Sequence, residues 1–366
     1  MGSAAAFHLA SRGQRILGLD RFQPPHQFGS SHGLTRIIRE AYFEHPLYVP
    51  LVQRAYELWD ALEKVSGRKL FVQTGGLMIG PADGPLVSGA RRSALEHNLS
   101  HQILSSKELA QRFPVFKTSP ETVAVLEPRA GVLFPELAIQ VHLELAAAGG
   151  AQFNFDSAVI RWEPTAVGVR VHTANRSLSA KKLLLSAGSW LPSLVPDLHL
   201  PLQVERQVLF WFEPLAGAAS AFNPGACPIY IWEYEPRRFF YGFPNLGDGV
   251  KIGMHHEGAS VQPDNLDRKV KAEEIEAARQ LLERFLPSAA GALKSSAVCM
   301  YTNTPDEHFL LDFHPNHPQV LIASPCSGHG FKFSPVIGEL SAALLSGEKP
   351  NFDLSLFRVN RFERLR

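Results

Sequence analysis

Two stretches of this chain carry the residues best suited to chemistry. The first is Ala297-Val298-Cys299-Met300-Tyr301-Thr302-Asn303-Thr304-Pro305-Asp306-Glu307-His308-Phe309. In an extended chain Cys299 and Tyr301, two residues apart, point to one face. The second is Ser327-Gly328-His329-Gly330-Phe331-Lys332-Phe333-Ser334-Pro335, a glycine loop bearing a lysine. Its end predicts a helix start, with Ser334 as N-cap and Pro335 at the first helical position. The N–H groups and partial positive charge of such an end suit an electron-rich ligand. The cysteines Cys227, Cys299 and Cys326 offer no CxxC pair and no disulfide framework. That fits a reducing, cytoplasmic setting and leaves each thiol free for other chemistry.

The opening of the chain is the first element that must position these groups. Ala4 to Arg12 reads as a helix of small residues ended by Gly13, and Arg15 to Asp20 as a short apolar strand closing on an acid. Helix then strand ending in Asp is the second half of a βαβ dinucleotide unit. Asp20 follows Gly2 by 18 residues, near the ~20 at which an acid reaches a ribose hydroxyl. An ordinary helix–strand pair fits the same fragment, and the fragment alone favours it. A whole G-x-G-x-x-G unit needs a strand and two more glycines ahead of Gly2. We therefore expect roughly a dozen residues, one strand and its turn, to be missing before Met1.

Farther on, Gly29 to Tyr42 holds His32, Arg36 and Arg39 among glycines. Such a loop could grip an anion, yet spacing alone favours arginines on a solvated helix face. Leu51, Ala55, Leu58, Trp59 and Leu62 predict a core helix stopped by Gly67. Leu183 to Gly188 predicts a strand buried on both faces whose small end lets backbone approach a ligand. Residues 203 to 256 alternate and are rich in aromatics, predicting an antiparallel sheet. On it Lys251, Gly253 and His255 share a face, either a pocket wall or, for the lysine, solvent. Further helices are predicted over 137–148, 275–285 and 335–346.

The sheet styles switch back and forth, which predicts two interleaved domains. Residues 1–78, 136–204 and 295–366 form a Rossmann-like cofactor-binding domain, and 79–135 with 205–294 an antiparallel-sheet substrate domain. The class is mixed α/β. At 366 residues with 45% apolar and 19% charged residues, this is an ordinary globular composition. A net charge of +1 without a basic run gives no reason to expect nucleic acid or an anionic membrane. No apolar run reaches membrane-spanning length, and the first residues lack the basic start of a secretory signal. The pairs His255-His256 and His314 with His317 lack the cysteines or carboxylates of a zinc set, so no metal is expected.

With these residues in view, the chain resembles the monomeric sarcosine oxidase and N-methyltryptophan oxidase family, FAD amine oxidases of the D-amino-acid-oxidase-like fold. The likeness spans nearly the whole chain. It rests on Met1 to Ala5, Gly29 to Tyr42, Tyr241-Gly242-Phe243-Pro244, Lys251-Ile252-Gly253, Val298 to Thr302 and Ser327 to Phe333. The resemblance implies that Cys299 carries FAD through an 8α-S-cysteinyl bond, and that Arg39 and Lys332 hold the substrate carboxylate. It implies that Lys251 stands near flavin N5 where oxygen is activated. His32, Arg36, His255, Tyr241, Tyr301 and Thr302 line flavin and substrate, while Gly2, Asp20, Gly188, Gly328 and Gly330 serve the cofactor.

The implied reaction is oxidation of a secondary amino acid by oxygen, giving an imine that hydrolyses and hydrogen peroxide, in a monomer whose partners are small molecules. Two readings compete with it: a flavin dehydrogenase passing electrons to another acceptor, and a truncated flavoprotein without turnover. The chain departs from the family at Pro325-Cys326, where Gly-Phe is usual, and at Met254, where an aromatic can stand. Pro325 fixes φ and removes an N–H beside the cofactor, and Cys326 is a rival thiol.

Overall fold

The computed structural model describes residues 1–365, so Arg366, at the end of the expected cofactor-binding domain, lies outside them. The small residues of the opening do what their size allows. The helix Gly2–Ala10 buries Ala4, Ala5, Ala6 and Ala10 and packs on the helices Pro135–Ala148 and Ser334–Leu345. The last contact is backbone to side-chain-free backbone: a Cβ on Gly338 would stand 2.6 Å from the carbonyl carbon of Ala4.

The strand Leu17–Leu19 follows and pairs in parallel with Gln152–Asn154. A second parallel pair joins Leu183–Leu185 to His317–Ser324, extended antiparallel by Leu310–His314. Parallel apolar strands under helices make up the α/β half of the molecule. Both sheets face one large cavity, which Leu17, Leu19, Phe153, Leu183 and Leu185 help to line.

The aromatic half is an eight-stranded sheet. Its order is Leu293–Asn303, Gln203–Phe212, Val250–His255, Arg238–Phe243, Ile229–Glu235, Gly76–Pro81, Thr122–Glu127, Gln102–Ser105. The strands between 203 and 255 pair antiparallel, as their alternation predicts. The joint from Ile229–Glu235 to Gly76–Pro81 is parallel, which requires the long chain excursion between them. One face buries Phe210, Tyr230, Trp232 and Phe240 with Phe285 of the helix Ala272–Phe285. Residues of opposite parity, among them Leu209, Tyr241, Cys299 and Tyr301, reach the cavity.

Two local expectations meet different fates. The helix Tyr48–Ser66 ends at Gly67, which adopts φ 67° as a C-terminal glycine should. Ser334, expected as an N-cap, is instead the first helical residue, with φ −53° and ψ −41° and no side-chain cap bond at the start. A 3-10 turn over Phe331–Phe333 runs directly into the helix, so Ser334 already has helical geometry. Among the described residues no helix is long and apolar enough to cross a membrane.

Candidate active site

The cavity has a volume of about 1630 Å³. Of the residues singled out above, Gly2, Asp20, Arg36, Arg39, Gly188, Tyr241, His255, Cys299, Tyr301, Thr302, Gly328, Gly330 and Lys332 all line it. His32 and Lys251 are not in the lining; both are buried just behind it.

The strand Leu293–Asn303 carries three of these groups. Cys299 stands opposite Gln207 and Tyr301 opposite Glu205 in the ladder, which places both on the cavity side. Arg36 Nη2 lies 3.9 Å from Cys299 Sγ, and the same nitrogen donates to Ser30 O and His32 O. Thr302 is buried and its hydroxyl meets Ser189 Oγ at 2.9 Å. Tyr301 Oη and His255 Nδ1 are 3.2 Å apart. Burial, then the neighbouring His256, pushes His255 well below an ordinary histidine pKa, so its imidazole is neutral at pH 7.

The glycine loop is fixed by contacts that no other residue would permit. A Cβ on Gly328, already at φ +77°, would meet the Tyr301 ring at 2.6 Å and His255 at 2.8 Å. One on Gly330 would stand 1.5 Å from the Pro325 carbonyl oxygen. Pro325 is thus a wall of the loop, and Cys326 beside it also lines the cavity. Gly188, at φ +54°, has open space around its Cα; there the backbone angle, not crowding, favours glycine.

Two buried cations define one region of the cavity. Arg39 is 1% exposed, which overturns the solvated-face expectation for it: it follows the short strand Arg36–Ile38, not a helix. Its Nη2 grips both carboxylate oxygens of Glu44 at 2.7 Å, Nη1 donates to Ala41 O, and Nε has no partner. Burial works to raise the Glu44 pKa, but Arg39, then His329 and Lys332, hold it below the ordinary range, so it stays ionised.

Lys332 Nζ donates to His329 O at 2.7 Å and lies 3.3 Å from Tyr42 Oη. Burial, then Arg39, lowers its pKa to about 7. The core helix supports it from behind, with Trp59 Nε1 donating to Lys332 O at 2.9 Å. His329 is locked between Tyr42 Oη at 2.5 Å and Glu307 O at 2.9 Å, and burial drives its pKa to about 3.

Lys251 is 2% exposed, which rules out the solvent alternative. Its three N–H bonds are taken by Gly33 O at 2.6 Å and by Thr35 O and Oγ1, each at 3.0 Å. Burial, then Arg36, pushes its pKa well below that of an ordinary lysine. Lys251 therefore fastens the segment 33–35, of which Thr35 reaches the cavity. Glu136 secures the same turn from outside, accepting from Gly33 N at 2.7 Å and Leu34 N at 3.0 Å. Sequence reasoning missed Glu136 and Ser189, whose partners are distant in the chain, and Glu44, whose partner Arg39 lies five residues away in an irregular segment and so fits neither helical nor strand spacing.

A βαβ-like half, a long cavity and a cavity-facing cysteine and lysine define a dinucleotide-dependent oxidoreductase site. The chain belongs to the FAD-dependent oxidoreductase family known as DAO, whose model matches residues 1–344. It is 44% identical over 365 residues to a monomeric sarcosine oxidase of Streptomyces avermitilis, covering 99% of this chain and 95% of that one. It is 38% identical over 366 residues to an N-methyl-L-tryptophan oxidase of Salmonella heidelberg, covering 100% and 97%. In fold it matches the L-proline dehydrogenase of P. horikoshii, with a TM-score of 0.84 at 20% identity over 100% of this chain and 95% of that one.

The residues present fit FAD. The cavity runs past Gly2, whose hydrogen leaves only 2.8 Å to Ser186 Oγ for any Cβ, and past the Asp20 carboxylate, which accepts from Phe22 N at 2.9 Å.

Proposed function

We propose that this protein oxidises a secondary amino acid, of the N-methyl or cyclic kind, with oxygen as acceptor and hydrogen peroxide as product. The observation that carries the reading is that two buried cations, Arg39 and Lys332, face the same cavity as Cys299 and the His255–Tyr301 pair. Relatives named for sarcosine and N-methyl-L-tryptophan at 44% and 38% identity support the same substrate class. FAD, when bound, supplies the redox chemistry: it takes the hydride equivalents from the amine-bearing carbon and passes electrons to oxygen.

The chain's own residues bind and orient. Arg39 offers Nε–H as its free donor and shares its other face with Glu44, while Lys332 supplies a point charge; together they fix a carboxylate. That leaves the amine beside Tyr301, Tyr241 and His255. Aromatic walls and the neutral His255 disfavour a charged ammonium and keep the amine in its reactive, unprotonated form.

We assign covalent attachment of the cofactor to Cys299. Residues 1–78, 136–204 and 295–366 are assigned to cofactor binding and 79–135 with 205–294 to the substrate side, the strand Leu293–Asn303 serving both. Three free cysteines support a cytoplasmic protein, and we assign a monomer.

Lys251 decides between oxygen and another electron acceptor. With sarcosine as substrate, Lys251→Met is expected to slow peroxide formation about a hundredfold, as for loss of one preorganised donor, while flavin reduction without oxygen persists. Peroxide formed at the wild-type rate would refute the role given to Lys251. A wild-type enzyme that reduces a dye but not oxygen would replace the oxidase reading with a dehydrogenase.

A further inference from the structure

Arg39, Tyr42 and Glu44 all sit on residues 39–44, which belong to no helix or strand. The backbone there is held by side chains. Arg39 Nη1 takes Ala41 O at 3.0 Å and Ser93 Oγ takes Tyr42 O. The third restraint comes from Glu127, at the end of the strand Thr122–Glu127. Its Oε1 accepts from Glu40 N at 2.7 Å and its Oε2 from Ala41 N at 2.8 Å.

Glu127 is 1% exposed and forms no ion pair within contact distance among the described residues. Burying a carboxylate without a salt-bridge partner is costly, and two charge-assisted bonds to consecutive amides are what offsets that cost here. Burial still raises its pKa to about 7 against the two N–H groups. A purely structural bracket would be cheaper with a neutral acceptor. What the carboxylate adds is two rigid contacts, one to each of the two consecutive peptides that follow Arg39.

We propose that Glu127 is a positioning residue for substrate binding: its carboxylate clamps the Glu40 and Ala41 amides so that Arg39 is presented to the substrate carboxylate in one geometry. The proposal rests on the carboxylate-gripping role given above to Arg39 and Lys332. Glu127 itself touches neither substrate nor cofactor; it acts through the backbone of residues 40 and 41. Gln at this position keeps the shape but turns an N–H₂ toward a backbone N–H, so one of the two bonds becomes a repulsive donor pair.

The test uses the full-length, FAD-loaded protein with sarcosine as probe. Glu127→Gln is expected to raise KM about tenfold, the loss of one charge-assisted hydrogen bond, with kcat within about twofold. Amide hydrogen exchange at Glu40 and Ala41 should quicken at least about tenfold on the same grounds. Unchanged KM with unchanged exchange overturns the proposal, and so does a fall in kcat at constant KM. Lys332→Met, measured in parallel, separates this from the underlying reading. If it raises KM and Glu127→Gln does not, the clamp fails and the grip stands. If Lys332→Met leaves KM unchanged, the grip fails and exchange alone judges the clamp. Should Glu127→Gln not fold, the wild-type amides decide: protection at both positions is expected, and exchange at exposed-loop rates overturns the clamp.

Discussion

Acid-precipitated wild-type protein is expected to give a yellow pellet, and Cys299→Ala a white one with all the flavin in the supernatant. Three cysteines compete for the tether, and the structure separates them. Cys227 lies in the aromatic core of the eight-stranded sheet, fully buried, with its thiol pushed up to about 12 by that burial. It is not among the residues that line the cavity. Cys326 does reach the cavity, but burial raises its thiol pKa too, and its sulfur accepts a contact from Ser324 Oγ at 3.3 Å. Cys299 lines the cavity with a guanidinium 3.9 Å from its sulfur, the kind of partner a reacting thiolate needs. Colour that survives Cys299→Ala and vanishes in Cys326→Ala would move the tether to the loop.

Lys332→Met is expected to raise the KM for sarcosine about a hundredfold, since removing one partner of a buried charge pair costs about 2–5 kcal/mol. Methionine keeps the length and the position over the Tyr42 ring, so the change isolates the charge. A pH signature accompanies it. Lys332 carries its proton below about 7 and loses it above. Carboxylate binding needs the ammonium, so affinity for acetate, which has no amine of its own, should be steady below that pH. Above it, affinity should fall about tenfold per unit. In Lys332→Met that slope should disappear. A KM within a factor of about three of wild type would remove Lys332 from the site.

Much of this site was legible in the sequence because its carriers obey short-range rules. Alternation placed Cys299 and Tyr301 on one strand face, and the strand Leu293–Asn303 keeps them there. Small residues predicted a tightly packed first helix, and Ala4 against Gly338 is that contact. Spacing misjudged Arg39, because a three-residue periodicity reads as a helix face whereas Arg36–Ile38 is a short strand running into an irregular segment. What fixes that segment lies 86 or 87 residues away at Glu127. Glu136 caps the preceding turn from a distance of 103 residues. Such carboxylates carry no local signature: Glu136 sits in the first turn of a helix and Glu127 at a strand end, where glutamates are commonplace. Only the tertiary pairing turns them into parts of the site.

The most direct test of the account mixes the purified, flavin-loaded protein with sarcosine in the absence of oxygen and follows the flavin absorbance. The yellow bands are expected to bleach and to return when air is admitted, with hydrogen peroxide released as they return. Bands that stay unchanged with sarcosine, N-methyl-L-tryptophan and pipecolate alike would contradict it.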